Sequence, residues 1–197
     1  LDVLKDRLYT LSENSKERRS AQVALYHITQ SLIRIMSPIL SFTAQEAWDV
    51  VNKDHSNTVF SDSWYDIPPH GLSDSEIEAW QTAMDTRVLA NKKIEELREQ
   101  GNVGSSLQAT LEIKANPIIY KHLSSFNEEL KYIFITSDIK LIAGEGDTEI
   151  SVIPSPHLKC DRCWHYAESV GSINDHPSIC TRCFTNLFGQ GELRIHA

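Results

Sequence analysis

Apolar side chains recur early in the chain at alternating intervals of four and three: Ala21, Leu25, Ile28, Leu32, Ile35 and Ile39. This spacing lines one face of an α-helix, and it predicts a long helix opening after Ser15 with that face buried. Pro38 predicts its end or a kink, because a proline inside a helix loses a hydrogen bond and clashes one turn back. A second helix follows, with Thr43 and Glu46 spaced as a capping box ahead of Ala44, Ala47, Trp48 and Val51. Before both, Leu4, Leu8 and Leu11 share a helical face with no start signal, which implies that the chain opens inside a helix of a longer protein. Residues 52–72, with Pro68, Pro69 and Gly71, read as a surface connection pinned by Phe60, Trp64 and Ile67. Ser73 or Asp74 then caps a third helix with Ile77, Trp80, Met84 and Val88 inward, stopped by Gly101 to Gly104.

After Gly104 the period changes from 3.6 to 2. Leu107, Ala109, Leu111 and Ile113 alternate with polar neighbours, the mark of a half-buried strand. Asn116 before Pro117 predicts a helix start, with the helix running to about Lys131. Tyr132 to Ile135, Lys140 to Ile142 and Glu149 to Ile153 read as further strands. Pro154 and Pro156 mark a boundary, so three segments are expected: helical over 1–103, small α+β over 104–156, and a terminal one over 157–197.

All four cysteines lie in that last segment, as Cys160-Asp-Arg-Cys163 and Cys180-Thr-Arg-Cys183. Two CxxC pairs at this separation can bring four thiolates to one tetrahedral ion, as in a structural zinc site. Two disulfides would need an oxidising compartment, and a redox site would need one CxxC at a helix start. His157, His165 and His176 are near in sequence, but four thiolates complete the shell. They read as surface residues or as groups that orient the ligands. A closed shell leaves no open position, so the metal is expected to be structural. The fold class is therefore α+β in several parts: a helical bundle, a small α/β subdomain and a terminal four-cysteine zinc ribbon or knuckle.

Composition refines this picture. With 197 residues, 41% hydrophobic and 23% charged, disordered and collagen-like classes are excluded. No run approaches the roughly 18 apolar residues of a membrane span, and the first residues lack a signal-peptide layout, so a cytoplasmic protein is expected. A net charge of −8 by itself argues against a polyanionic partner. The acidic excess, however, falls within residues 51–158, while 1–50 and 159–197 are each balanced. A local basic face can survive there, as in the cluster Lys16, Arg18 and Arg19. Around the cysteines stand Arg162, Trp164, His165, Tyr166, Arg182 and Phe184. Aromatic and arginine planes suit stacking on unpaired bases; they also suit a miniature core. Phe184 reads as core, and for Trp164 both readings stay open.

Four stretches together resemble the carboxy-terminal part of the bacterial isoleucyl-tRNA synthetase family, class I aminoacyl-tRNA synthetases: ERRSAQVALYHITQSLIRIMSPILSFTAQEAW, VFSDSW, VLANKKIEELREQGNVGSSLQA, and KCDRCWHYAESVG with ICTRCFTNLFGQGELRIHA. Valyl and leucyl relatives share the helical pattern, but the order of all four is specific. Formamidopyrimidine-DNA glycosylases carry a similar finger after a helix-two-turn-helix region, which the run 107–153 does not resemble. The resemblance implies the family's anticodon-binding helices, a small α/β subdomain and a terminal zinc segment at the family's natural end. It implies that the whole enzyme is an isoleucine–tRNA ligase that activates isoleucine with ATP, transfers it to tRNA and hydrolyses wrongly charged valine. The HIGH and KMSKS signatures, the nucleotide-binding fold and the editing domain are absent from this sequence, so no catalytic residue is expected and ATP belongs to the missing catalytic domain. The expected partners are the anticodon stem-loop of isoleucine tRNA and the remaining domains of the same synthetase, in a monomer that does not engage membranes. Cys160, Cys163, Cys180 and Cys183 would hold one structural zinc. Arg18, Arg19, Arg87, Lys92, Lys93 and Arg98 are candidates for phosphate and sugar contacts, and Arg162, Trp164 and Arg182 for the loop. The reading from another class is a zinc-finger module of a DNA-glycosylase type, or a zinc-stabilised domain for protein contacts.

Overall fold

The computed structural model describes residues 1–52 and 57–195. They fall into two compact units, Leu1–Arg18 with Leu72–Ala197, and Arg19–Gly71.

In the first unit, α1 (Asp2–Thr10), α4 (Asp74–Glu99), α5 (Pro117–Ser124) and α6 (Leu130–Phe134) surround a three-stranded sheet of β1 (Ala109–Ala115), β2 (Asp138–Ala143) and β3 (Glu149–Pro154). The order is β2-β1-β3, with β1 parallel to β2 and antiparallel to β3. Parallel pairing needs a long crossover, which α5 and α6 supply. In β1, Ala109, Leu111, Ile113 and Ala115 are buried while Glu112 and Lys114 are exposed, so one face carries the core and the other faces solvent. Leu123, Phe126, Leu130, Ile133 and Phe134 complete that core.

The predicted caps hold. Ser73 and Glu76 form a capping box at α4. The Asn116 side chain accepts the Ile118 and Ile119 amides ahead of Pro117. Gly101, at φ +75°, ends α4 in the left-handed region that glycine enters at no steric cost.

Two expectations fail here. Residues Tyr132 to Ile135 are not a strand: they end the short helix α6, and Ile135 closes it at φ +57° while the Thr136 amide bonds to the Lys131 carbonyl at 3.0 Å. A short continuous apolar run is buried on several sides in either conformation, so periodicity does not separate them. The preceding helix also stops at Ser124 rather than Lys131. In α4 the inward face is Ala79, Ala83, Thr86, Ala90 and Ile94, whereas Ile77, Met84 and Val88 are exposed. The alanines let the helix approach the sheet closely, an option that a count of large side chains overlooks.

The second unit comprises α2 (Lys16–Met36) from Arg19 onward, α3 (Ser41–Val51) and an extended run to Gly71. Helix α2 ends two residues before Pro38, as predicted. Its buried face is different. Ala21 of the regular stripe is buried, but Ile28, Leu32, Ile35 and Ile39 are 43%, 49%, 55% and 84% exposed. The small core is Ile33, Ala44, Trp48 and Val59. Gln30 of α2 donates to the Asn52 side chain, and the Trp48 indole to the Asn57 carbonyl at 3.0 Å. Arg34 lies over the rings of Trp48 and Tyr65 and pairs with Asp62. Helix α3 opens at Ser41, so Thr43 lies inside its first turn and forms no capping box. The connection is pinned by buried Val59 and by Tyr65, whose hydroxyl is 2.7 Å from His27 Nδ1, rather than by Phe60, Trp64 and Ile67, which are exposed. Residues 53–56 of that connection lie outside the described residues.

Candidate functional site

The terminal segment folds as a two-stranded hairpin, β4 (Leu158–Lys159) with β5 (Tyr166–Ala167), followed by α7 (Thr181–Phe188). Cys160 and Cys163 lie in the tight turn of the hairpin; Cys180 caps α7 and Cys183 sits in its first turn, where the helix dipole favours a thiolate. All four are buried, and their sulfurs lie within 4.8 Å of one another. The Cys180 amide donates to Cys160 Sγ at 3.3 Å. Hydrogen bonds to Cys180 and Cys183 push the Cys163 thiol up, while the bond from Cys163 holds Cys180 as a thiolate. Four crowded sulfurs cannot all ionise without a cation, and a divalent ion removes that conflict. The donor set fits one structural zinc, with all four positions taken by sulfur and none left for substrate. His165 is buried with Nδ1 3.2 Å from the Cys163 carbonyl, His176 stacks on Phe188 at 4.5 Å, and His157 is exposed.

The interior of the knuckle is the four cysteines with Ala167, Val170 and Ile179. Phe184 packs beside it, against His176 and Phe188. Trp164 takes no part in that interior: it is 59% exposed, with Lys159 5.3 Å over its ring. Its backbone is in the left-handed region at φ +66°, held there by its amide bonding the Cys160 carbonyl at 2.9 Å. A bulky residue in that conformation costs on the order of 1–3 kcal/mol and is tolerated where the surroundings enforce it.

Arg182 is corrected as a loop contact. Its side chain is turned inward, donating to Asp6 and Glu192 at 2.6 Å each and to the Thr10 hydroxyl at 2.8 Å, with its guanidinium 4.7 Å over the Tyr132 ring. Arg194 covers the other partners of this cluster, pairing with Asp6 and Glu192 and lying 3.8 Å over Tyr132. Burial opposes ionisation of Asp6, yet the two guanidiniums hold its carboxyl below the usual range. The effect is to fasten α1 to α7. The hairpin is fastened to the sheet as well, through the Tyr166 amide on the Ser137 hydroxyl at 2.6 Å.

Arg162 donates to the carbonyls of Thr10 and Tyr9, which brings it and Trp164 to the end of α1. Lys92, Lys93 and Arg98 are exposed on the last turns of α4, with Lys93 paired to Glu96 and Arg98 to Glu95. Arg87 and Arg18 are half-buried and Arg19 is exposed. The candidates thus form no single patch within the first unit. Lys5, Tyr9 and Lys159 had gone unnoticed. Lys159 was legible as the cation next to a zinc ligand, but nothing local ties α1 to a segment some 150 residues away.

Residues 1–114 match the family model of the anticodon-binding domain of tRNA ligase, and residues 158–186 match that of the zinc finger found in FPG and IleRS. Over its whole length the chain is 46% identical to an isoleucine–tRNA ligase of Cupriavidus taiwanensis, 47% to one of Ralstonia pickettii and 43% to one of Aromatoleum aromaticum. It spans 21% of the length of each of these relatives. Among the described residues no helix is long and apolar enough to cross a membrane. With more than half of its length matched by one model and its four buried cysteines inside the finger matched by the other, the chain belongs to the anticodon-binding domain family of tRNA ligases.

Proposed function

We propose that this chain is the tRNA-reading part of a cytoplasmic, monomeric isoleucine–tRNA ligase, binding the anticodon stem-loop of isoleucine tRNA while other domains of the same protein carry the ATP-dependent chemistry. The observation that carries the reading is Trp164. A large aromatic side chain is held in a strained backbone conformation by a zinc knuckle and left exposed, beside Arg162 and Lys159. An anticodon loop offers unpaired bases for such a plane and phosphates for such cations. Arg18, Arg19, Arg87, Lys92, Lys93 and Arg98 are proposed for the stem, whose phosphates need charge rather than shape. The segments 1–103, 104–156 and 157–197 are proposed as a division of role along the chain, helical, connecting and zinc-bearing, rather than of packing.

The test is binding of the zinc-loaded 197-residue chain to an isoleucine tRNA transcript and to one of altered anticodon, titrated with salt. The reading requires preference for the native anticodon and a modest salt slope. Trp164→Ala weakens binding with zinc content unchanged; equal affinity for the two transcripts, or an unaltered Trp164→Ala, refutes the reading.

A further inference from the structure

A largely apolar cleft of about 510 Å³ opens beside the knuckle, lined by Tyr9 of α1, Leu107, Ile135 and Trp164, together with Lys5 and Arg162. This volume lies within the range of pockets that enclose small organic ligands. Its walls come from four chain segments, each separately fixed. Trp164 is held by the Cys160 carbonyl, Ile135 by the turn that closes α6, and Tyr9 and Arg162 by each other through the α1 carbonyls. Asp6, one turn before Tyr9, is tied to Arg182 and Arg194. A cavity so fixed needs little ordering when a ligand arrives, which favours affinity.

We infer that this cleft takes one unpaired base turned out of the RNA loop, an assignment that rests on the RNA-binding reading above. The occupant must have apolar faces, because Leu107, Ile135 and the two aromatic side chains line the cleft. It must also carry negative charge nearby. The two cations flanking Trp164, Lys159 and Arg162, have no carboxylate partner among the described residues. Arg162 uses two of its donors on carbonyls and keeps others in a fork suited to phosphate. A nucleobase between two phosphates meets both requirements. Tyr9, Leu107 and Ile135 then act with Trp164 as residues that determine which loop position is accepted.

The experiment uses the full chain and anticodon stem-loop RNAs carrying 2-aminopurine at one unpaired position at a time. One position is expected to be quenched on binding, and Leu107→Trp, which fills the cleft, abolishes that quenching and weakens binding by about five- to a hundredfold, the loss from unstacking one base. Tyr9→Ala, a change at a side chain 74% exposed, gives the same direction without touching the interior, and so guards against a misfolded Leu107→Trp. Binding that persists with no quenched position, or that is unchanged in both variants, overturns the cleft assignment and leaves RNA binding standing. No binding to any stem-loop by the zinc-loaded wild-type chain overturns both.

Discussion

The zinc segment and the unit Arg19–Gly71 solve opposite problems. Residues 157–195 have little apolar material, and their order comes from four sulfurs within 4.8 Å and from arginines placed on carboxylates. The unit Arg19–Gly71 is rich in aliphatic side chains at regular spacing, yet only Ile33, Ala44, Trp48 and Val59 form its core while Ile28, Leu32, Ile35 and Ile39 stay exposed. The difference separates two kinds of information. Metal ligands must converge on a point, so their spacing specifies a site directly. An apolar stripe needs only some surface to cover it, so its spacing specifies a helix and leaves the covering surface open.

That contrast can be broken by experiment. The largest effect is expected from removing zinc: structural sites of this kind contribute on the order of 10–16 kcal/mol of apparent binding free energy. Chelation should unfold the terminal segment and, because Arg182 lies between two ligands and holds Asp6, also loosen α1. Hydrogen exchange should rise over 157–195 and over 2–10, while Arg19–Gly71 keeps its protection; protection lost evenly through the chain would contradict the division. Next, Asp6→Asn should destabilise by roughly 3–5 kcal/mol, since it leaves two buried guanidiniums short of a charge. The same carboxylate sets a pH dependence. Held below its ordinary value in the folded state, it contributes fully above about pH 4 and loses its contribution as the pH falls through its folded value. Thermal melts of the wild type should therefore fall below that pH more steeply than those of Asp6→Asn. In the helical unit, Ile33→Ala should cost about 2–5 kcal/mol in urea unfolding. Ile35→Ala, two residues on, should stay within about 0.5 kcal/mol. A reversed order for that pair would restore the regular stripe as the buried face.

Much of the local structure was legible because single residues carry it. Ser73 with Glu76, Asn116 with Pro117, and Gly101 mark helix ends by hydrogen bonds and dihedrals that need no distant partner. The alternation in β1 was legible because one face of the sheet is wet. The four cysteines were legible as a site for the reason given above. Illegible were the elements whose state depends on neighbours. Tyr132 to Ile135 are buried whichever way they fold, so their helix left no periodic trace. Thr43 carried a cap signal that was overruled when α3 began at Ser41.

At the site the same division holds. By itself the sequence determined that zinc is held, by which four residues, and that arginines and aromatics cluster around it, since these follow from residue type and spacing. Only the tertiary structure decided what each of those side chains is used for. It turned Arg182 inward onto Asp6 and Tyr132, left Trp164 exposed at φ +66°, and set Tyr9 and Lys5 of α1 beside the knuckle to form a cleft. The physical reason is that a guanidinium serves equally well in a buried ion pair or against a phosphate. Which of these it does depends on whether a carboxylate from a distant part of the chain reaches it.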